Sequence, residues 1–183
     1  MRKVVLAMYM SLDGFIEGPS KEFTGPRFSP DLKSKWIDRN LQRADVMMYG
    51  RTAYEGMAAY WTSPEADGAE AKFLAQANKL VFSTTLQNAD WGNVRIIGLD
   101  IAEEIGRLKA QPGKDMLLFG GARIAATFLR LGLVDELSLL VSPLLQGGGK
   151  RLFPDGAGRQ GLNFVSADPF DSGAVLLTYA RPA

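Results

Sequence analysis

Five short, almost wholly apolar runs, at residues 4–10, 46–49, 80–82, 94–97 and 116–119, recur along the first two thirds of the chain with helical patterns between them. A strand that is apolar on consecutive rather than alternate residues has both faces covered. That is the condition of a central strand in a parallel sheet flanked by helices. The intervening segments read as helices at 31–42, 52–60, 64–78, 101–110 and 122–131. The first opens on Ser29-Pro30-Asp31, a capping sequence; the fourth stops at Gln111-Pro112-Gly113 and the last at Gly132. The final third changes character. A strand at 134–141 and the loop Gly147-Gly148-Gly149 precede strands at 162–166 and 174–179. Asp168-Pro169 and Ser172-Gly173 bracket a tight connection between these last two, which predicts an antiparallel hairpin. The expected fold is α/β: three layers in a single domain over residues 1–183, with a mainly parallel central sheet and an antiparallel C-terminal hairpin. Residues 18–30, rich in Pro, Gly and Ser, form the longest expected loop.

Composition narrows the chemistry. Lysine and arginine number 21 against 20 acidic residues, and a net charge of +1 gives no electrostatic case for binding nucleic acid or an anionic membrane. The chain has no cysteine and no histidine. Disulfides, thiol nucleophiles, Cys/His zinc sites and Ser-His-Asp triads are therefore excluded, and no metal site is expected. Arg2 and Lys3 before the first apolar run imitate the start of a signal peptide, but the run stops at Ser11 and Asp13 with no small-residue cleavage pattern. No stretch reaches the ~18 apolar residues of a membrane span. A cytoplasmic protein is expected.

Gly156-Ala157-Gly158-Arg159-Gln160-Gly161 matches the glycine pattern of dinucleotide-binding turns, but no strand feeds it and no helix leaves it, so it reads as a flexible turn. Gly149-Lys150 lacks the hydroxyl residue and the upstream glycine of a phosphate loop. Three better signals sit where a strand runs into a helix. At Gly50-Arg51-Thr52-Ala53-Tyr54-Glu55 a glycine permits the turn, the helix N-terminus favours an anion, and Arg51 can pair with phosphate bidentately. At Phe82-Ser83-Thr84-Thr85 hydroxyls follow a buried strand without an acid that would repel a 2′-phosphate. At Phe119-Gly120-Gly121-Ala122-Arg123-Ile124 two glycines and a small residue let backbone approach a pyrophosphate. The plain alternatives are a capped helix with an exposed arginine, a polar turn, and a turn that needs positive φ.

These junctions, in this order, resemble the dihydrofolate reductase-like fold. In particular they resemble the reductase domain at the C-terminus of bifunctional riboflavin-biosynthesis deaminase-reductases. Ser11-Leu12-Asp13-Gly14 after the first strand, Gly120-Gly121-Ala122-Arg123, the segment Leu131-Gly132-Leu133-Val134-Asp135-Glu136-Leu137 and Pro143-Leu144-Leu145 carry the rest of the likeness, which covers nearly the whole chain. The resemblance implies an NADPH-dependent reductase. Tyr9 and Ile16 would border the nicotinamide, and Gly50, Arg51 and Thr52 would face cofactor phosphate. Ser83 and Thr84 would meet the adenosine end, and Gly120, Gly121, Ala122, Arg123 and Ile124 would cradle the pyrophosphate. The family reduces the ribosyl group of 5-amino-6-(5-phosphoribosylamino)uracil, or on the folate side a pteridine C=N bond. Substrate contacts are expected from Asp13, Tyr54 and Phe119, with a homodimer as in the family.

The chain also departs from the riboflavin pattern, which has an acidic residue before the glycine pair and Thr-Val after the second strand. Phe119 and Ala53-Tyr54 stand there instead. The Gly-Arg-x-x-Tyr-Glu form is closer to dihydrofolate reductase, which keeps a carboxylate on its first helix. Asp31 is the candidate catalytic acid, Asp38 its competitor, and a helix cap the plain reading of Asp31. Hydride transfer needs positioning and exclusion of water rather than a nucleophile, so a chain without histidine or cysteine can perform it. A non-catalytic nucleotide-binding module of the same fold is the alternative from another functional class.

Overall fold

The apolar runs become the middle of one eight-stranded sheet. The computed structural model describes residues 1–27, 29–66, 68–155 and 158–182. Its strands are β1 (Val4–Ser11), β2 (Phe15–Glu17), β3 (Ala44–Gly50), β4 (Asn78–Phe82), β5 (Val94–Ile97), β6 (Asp115–Leu118), β7 (Glu136–Ser142), β8 (Lys150–Arg151), β9 (Asn163–Pro169) and β10 (Val175–Ala180). The large sheet runs β5-β4-β3-β6-β1-β7-β10-β9. The pairings from β5 to β7 are parallel, and β10 and β9 close the sheet antiparallel, which is the expected architecture. The glycine-rich turn expected at 156–161 lies partly on residues 156 and 157, outside the described residues.

Alternate residues of each central strand feed two separate cores. Val4, Leu6 and Met8 join Met48, Leu118, Ile105 of α5 (Ile101–Lys109) and Phe128 of α6 (Ala122–Arg130) on one face. Val5, Ala7, Met47, Tyr49 and Leu117 join Leu32, Trp36 and Leu41 on the other, together with Tyr54 of α3 (Arg51–Trp61) and Leu74 of α4 (Gly68–Gln76). This is the period-two geometry of a strand applied to a sheet covered on both sides.

Three expectations need correction. The helix expected over 31–42 is α1 (Pro30–Leu32), a π-helical stretch Lys33–Asp38, and α2 (Arg39–Arg43). Within the wider turns Trp36 is buried, and its Nε1 donates to Ser138 Oγ on β7 at 3.2 Å. The helix expected over 64–78 begins only at Gly68, whose φ of +85° cannot continue a right-handed helix from before it. Its last expected residue, Asn78, starts β4 instead. The third correction is a second, two-stranded sheet of β2 and β8, which local sequence did not suggest.

Charge is paired at the amino ends of the strands. Arg43 bridges Asp115 and Glu136, Arg2 pairs with Asp45, and Lys109 with Asp135. Open space lies at the carboxyl ends of the strands, beside Gly50, Phe82 and Gly98. No helix among the described residues is long and apolar enough to cross a membrane.

Candidate functional site

Strand β3 ends at Gly50 and α3 starts on the next residue; β6 ends at Leu118 and α6 starts at Ala122. Both helices have glycine as N-cap, so neither has a side-chain cap for its first amides, and neither has an acid in its first turn. Such helix ends present free N–H groups and a partial positive charge. The two turns are joined by backbone: Gly50 N–H donates to the Gly120 carbonyl at 2.7 Å, and Phe119 N–H to the Met48 carbonyl at 3.0 Å. The Gly120–Gly121 peptide is cis. Gly120 has φ +94°, and a Cβ there would lie 2.7 Å from Met8 Sδ. A Cβ on Gly121 would meet nothing within 4 Å, so that residue's backbone is open to approach.

Between these turns lies a cleft of about 490 Å³. Gly50, Arg51, Thr52, Ser83, Thr84, Gly121, Ala122, Arg123 and Ile124, all expected from the sequence to hold a cofactor, line it. Gly120 sits behind this lining, against Met8. Gly98 and Ile101 line the cleft beyond β4 and β5, and Thr127 lines it from the second turn of α6. The half-exposed Arg51 guanidinium donates from Nε to Glu55 at 2.8 Å and from Nη1 to Thr85 Oγ1 at 3.0 Å. Ser83 Oγ accepts from the amides of Thr85 and Leu86, which shapes the hydroxyl turn. Among the described residues three cations, Arg51, Arg123 and Lys150, border the cleft against one carboxylate, Glu55, already paired to Arg51.

Other expected site residues lie elsewhere. Tyr9 is not part of this lining. Its ring packs on Phe23 (4.7 Å between centroids) and Trp36 (6.5 Å), and burial raises its phenol above the ordinary range. Ile16 packs from β2 against the core that contains α5 and α6. Tyr54 is buried; it faces the sheet from α3, and its hydroxyl accepts the Trp91 amide at 3.0 Å. Phe119 stacks on Tyr49 at 6.0 Å in the same core.

Asp13 accepts from the Ser11 hydroxyl at 2.6 Å and from the backbone amides of Gln146 and Gly147 at 3.0 and 2.8 Å. Those bonds, the Ser11 hydroxyl's foremost, hold its carboxyl down to about 2. It ties two loops together through these three bonds. Asp31 lies one residue past Pro30 at the start of α1, with Ser29 as the N-cap. Its carboxylate accepts from the Ser29 hydroxyl and from the Asp171 amide at 3.3 Å, and its pKa is lowered, chiefly by Ser29. Hydrogen bonds to a carboxylate of this kind favour its ionised form. Asp38 lies at the far end of the π-helical stretch.

Sequence reasoning missed Lys150, Thr85 and Glu55. Thr85 belongs to the hydroxyl run already singled out, and Glu55 lies four residues after Arg51 on one helix face, so both were within reach of local signals. Lys150 comes to the cleft only through the pairing of β8 with β2, which no short-range pattern reveals.

The sequence model of the RibD C-terminal domain matches residues 2–176. The chain belongs to the RibD C-terminal domain family. Its relatives include the uncharacterized protein YyaP of Bacillus subtilis, 36% identical over 181 residues, covering 97% of this chain and 94% of that one. Among solved structures, the diaminohydroxyphosphoribosylaminopyrimidine deaminase/5-amino-6-(5-phosphoribosylamino)uracil reductase of Thermotoga maritima superposes with a TM-score of 0.72 at 14% identity. It is matched over 99% of this chain and 57% of its own. Enterococcus faecalis dihydrofolate reductase, complexed with NADP(H) and RAB-propyl, superposes with a TM-score of 0.65 at 15% identity over 99% and 97% of the two chains. This RibD C-terminal domain therefore has the dihydrofolate reductase-like fold.

Proposed function

We propose that this RibD C-terminal domain protein is an NADPH-dependent reductase of a small heterocyclic or phosphoribosyl substrate, with 5-amino-6-(5-phosphoribosylamino)uracil the first candidate. One observation carries the reading. Two uncapped helix N-termini open on the same cleft, and that cleft holds three cations and a single, already paired, acid. Such a site suits a ligand with several phosphates. The solved dihydrofolate reductase holding NADP(H) and the Thermotoga reductase support the choice of cofactor and substrate class. Bound there, NADPH would supply a hydride. Arg51, steadied by Glu55 and Thr85, would hold the 2′-phosphate, and the backbone from Gly121 to Ile124 would hold the pyrophosphate. Tyr9, Phe23 and Trp36 would offer an aromatic wall to a flat substrate. The substrate's proton would come from solvent, since the Asp31 carboxylate is engaged by the Ser29 hydroxyl and the Asp171 amide.

Titration of NADPH and NADH into wild-type protein and Arg51→Ala tests the cofactor. Loss of a charge-assisted phosphate contact is expected to weaken NADPH about tenfold or more and NADH little. Equal losses, or no binding of NADPH at millimolar concentration, would overturn the reading. Oxidation of bound NADPH is then followed with the aminouracil phosphate and with dihydrofolate as acceptors. Binding without turnover on either would leave only a nucleotide-binding module.

In the same reading two copies associate along β9. This strand ends the sheet, and Phe164 and Val165 on it are 64% and 54% exposed. An edge that carries both unpaired backbone and apolar side chains can pair antiparallel with itself about a two-fold axis. Sedimentation is expected to give a dimer that Phe164→Lys dissociates; a monomeric wild type would refute it.

A further inference from the structure

Lys150 is the one cleft cation that neither starts a helix nor follows a central strand. It opens β8, which pairs antiparallel with β2 in the small second sheet, Lys150 opposite Glu17 and Arg151 opposite Phe15. The Arg151 guanidinium lies over the Phe15 ring at 4.6 Å. Successive side chains of a strand point to opposite faces, so Lys150 is turned the other way, into the cleft. No carboxylate among the described residues pairs with it, whereas Arg51 is engaged by Glu55.

Its direction is built in by several independent contacts. Asp13 accepts from the amides of Gln146 and Gly147, just ahead of β8. Gly149 has φ +117°, and a Cβ there would stand 2.1 Å from the Glu17 carbonyl oxygen, so the two backbones touch at a point only glycine permits. On the other side, Leu152 is fully buried and its amide donates to the Gly14 carbonyl at 3.0 Å. A long flexible side chain at the surface needs none of this. A cation aimed at a ligand does.

Sheet order says which part of the ligand it meets. Arg51 and Thr85 follow β3 and β4, and α6 follows β6. The β2–β8 ribbon continues from β1, on the far side of β6 from β3. Lys150 therefore approaches from the side opposite Arg51, with the start of α6 between them. We infer that Lys150 is a pyrophosphate-binding residue, closing from the β2–β8 ribbon on the diphosphate that the amides of α6 hold from the other side. The inference rests on the proposed dinucleotide cofactor.

Its test compares coenzymes that share the diphosphate and differ in the 2′-phosphate. NADPH and NADH are titrated calorimetrically into wild-type protein, Lys150→Ala, Lys150→Gln and Lys150→Arg, each first checked for an unchanged thermal transition. Lys150→Ala and Lys150→Gln are expected to weaken both coenzymes by the same factor, about tenfold. Lys150→Arg is expected to recover most of that loss, and added salt to narrow the gap between wild type and Lys150→Ala. NADPH affinity within twofold of wild type in both neutral variants overturns the assignment. So does a loss confined to NADPH, which would move Lys150 to the 2′-phosphate. A wild-type protein that binds neither coenzyme refutes the cofactor reading itself, a result distinct from binding that ignores Lys150.

Discussion

The Gly50 amide donates to the Gly120 carbonyl at 2.7 Å, and with the Phe119-to-Met48 bond it fixes the start of α3 against the turn that starts α6. Two anion-attracting ends are thus held together by backbone alone. Their side chains sharpen the point. Helix α5 has Glu103 and Glu104 in its first turn, as an ordinary helix complements its own dipole. Helices α3 and α6 have no acid there and carry Arg51 and Arg123 instead, which costs each helix on the order of 0.3–1 kcal/mol. An anion from outside the chain reverses that cost.

Gly120 is the position where the turn tolerates least change. A side chain must adopt φ near +94° and meets Met8 Sδ at 2.7 Å. Gly120→Ala is expected to destabilise the fold by about 2 kcal/mol or more in urea denaturation. Adding Met8→Ala removes the steric part alone, so the double variant is to lose less than the two single losses combined. A single variant as stable as wild type contradicts this account of the turn.

How much of this was legible beforehand follows from the range over which each signal acts. The central strands were legible because consecutive apolar residues such as Val4, Val5 and Leu6 are buried on both faces. The glycine-bounded helix starts were legible because strand, turn and helix are neighbours in sequence. Lys150 was not, since its place depends on Asp13 reaching Gly147 across 134 positions. Tyr54 illustrates the opposite failure. A motif names the residues near a turn but not which face of α3 each occupies, and Tyr54 turns to the sheet while Arg51 and Glu55 turn to the cleft.

Asp13 is expected to act through the loop it holds. In Asp13→Ala the amides of Gln146 and Gly147 lose their acceptor, and hydrogen exchange at both should speed up about tenfold or more. Its carboxyl, held down to about 2, stays ionised through the whole physiological range, so protection at these amides in the wild type should be independent of pH above about 4 once intrinsic exchange is corrected. Unchanged protection in the variant contradicts the latch.

Asp31 is expected to be dispensable as an acid. Its carboxyl is held below the ordinary carboxylate range, chiefly by the Ser29 hydroxyl, so on the proposed reductase activity Asp31→Asn should alter turnover by less than about threefold and leave any acidic limb of the kcat profile where it is. Loss of that limb, or a hundredfold fall in kcat with NADPH binding intact, identifies Asp31 as the proton donor after all.

Lys79 gives the fold a pH dependence that can be read without any ligand. Its side chain is buried; Nζ lies 4.6 Å over the Trp91 ring and donates to the carbonyl of Ala77 at 2.9 Å, with no carboxylate in partnership among the described residues. Burial lowers its pKa from 10.5 to about 8. Between those values the unfolded chain holds the proton and the folded one releases it, so stability must rise with pH across that window. The gain from pH 7 to 9.5 is about 2 kcal/mol. Tyr49, whose phenol is raised by burial, acts in the reverse direction above pH 10, where the unfolded state ionises first. The measurement is therefore the difference between wild type and Lys79→Met in urea denaturation up to pH 9.5. The variant should be flat where the wild type climbs, and parallel curves would place the charge of Lys79 in contact with solvent.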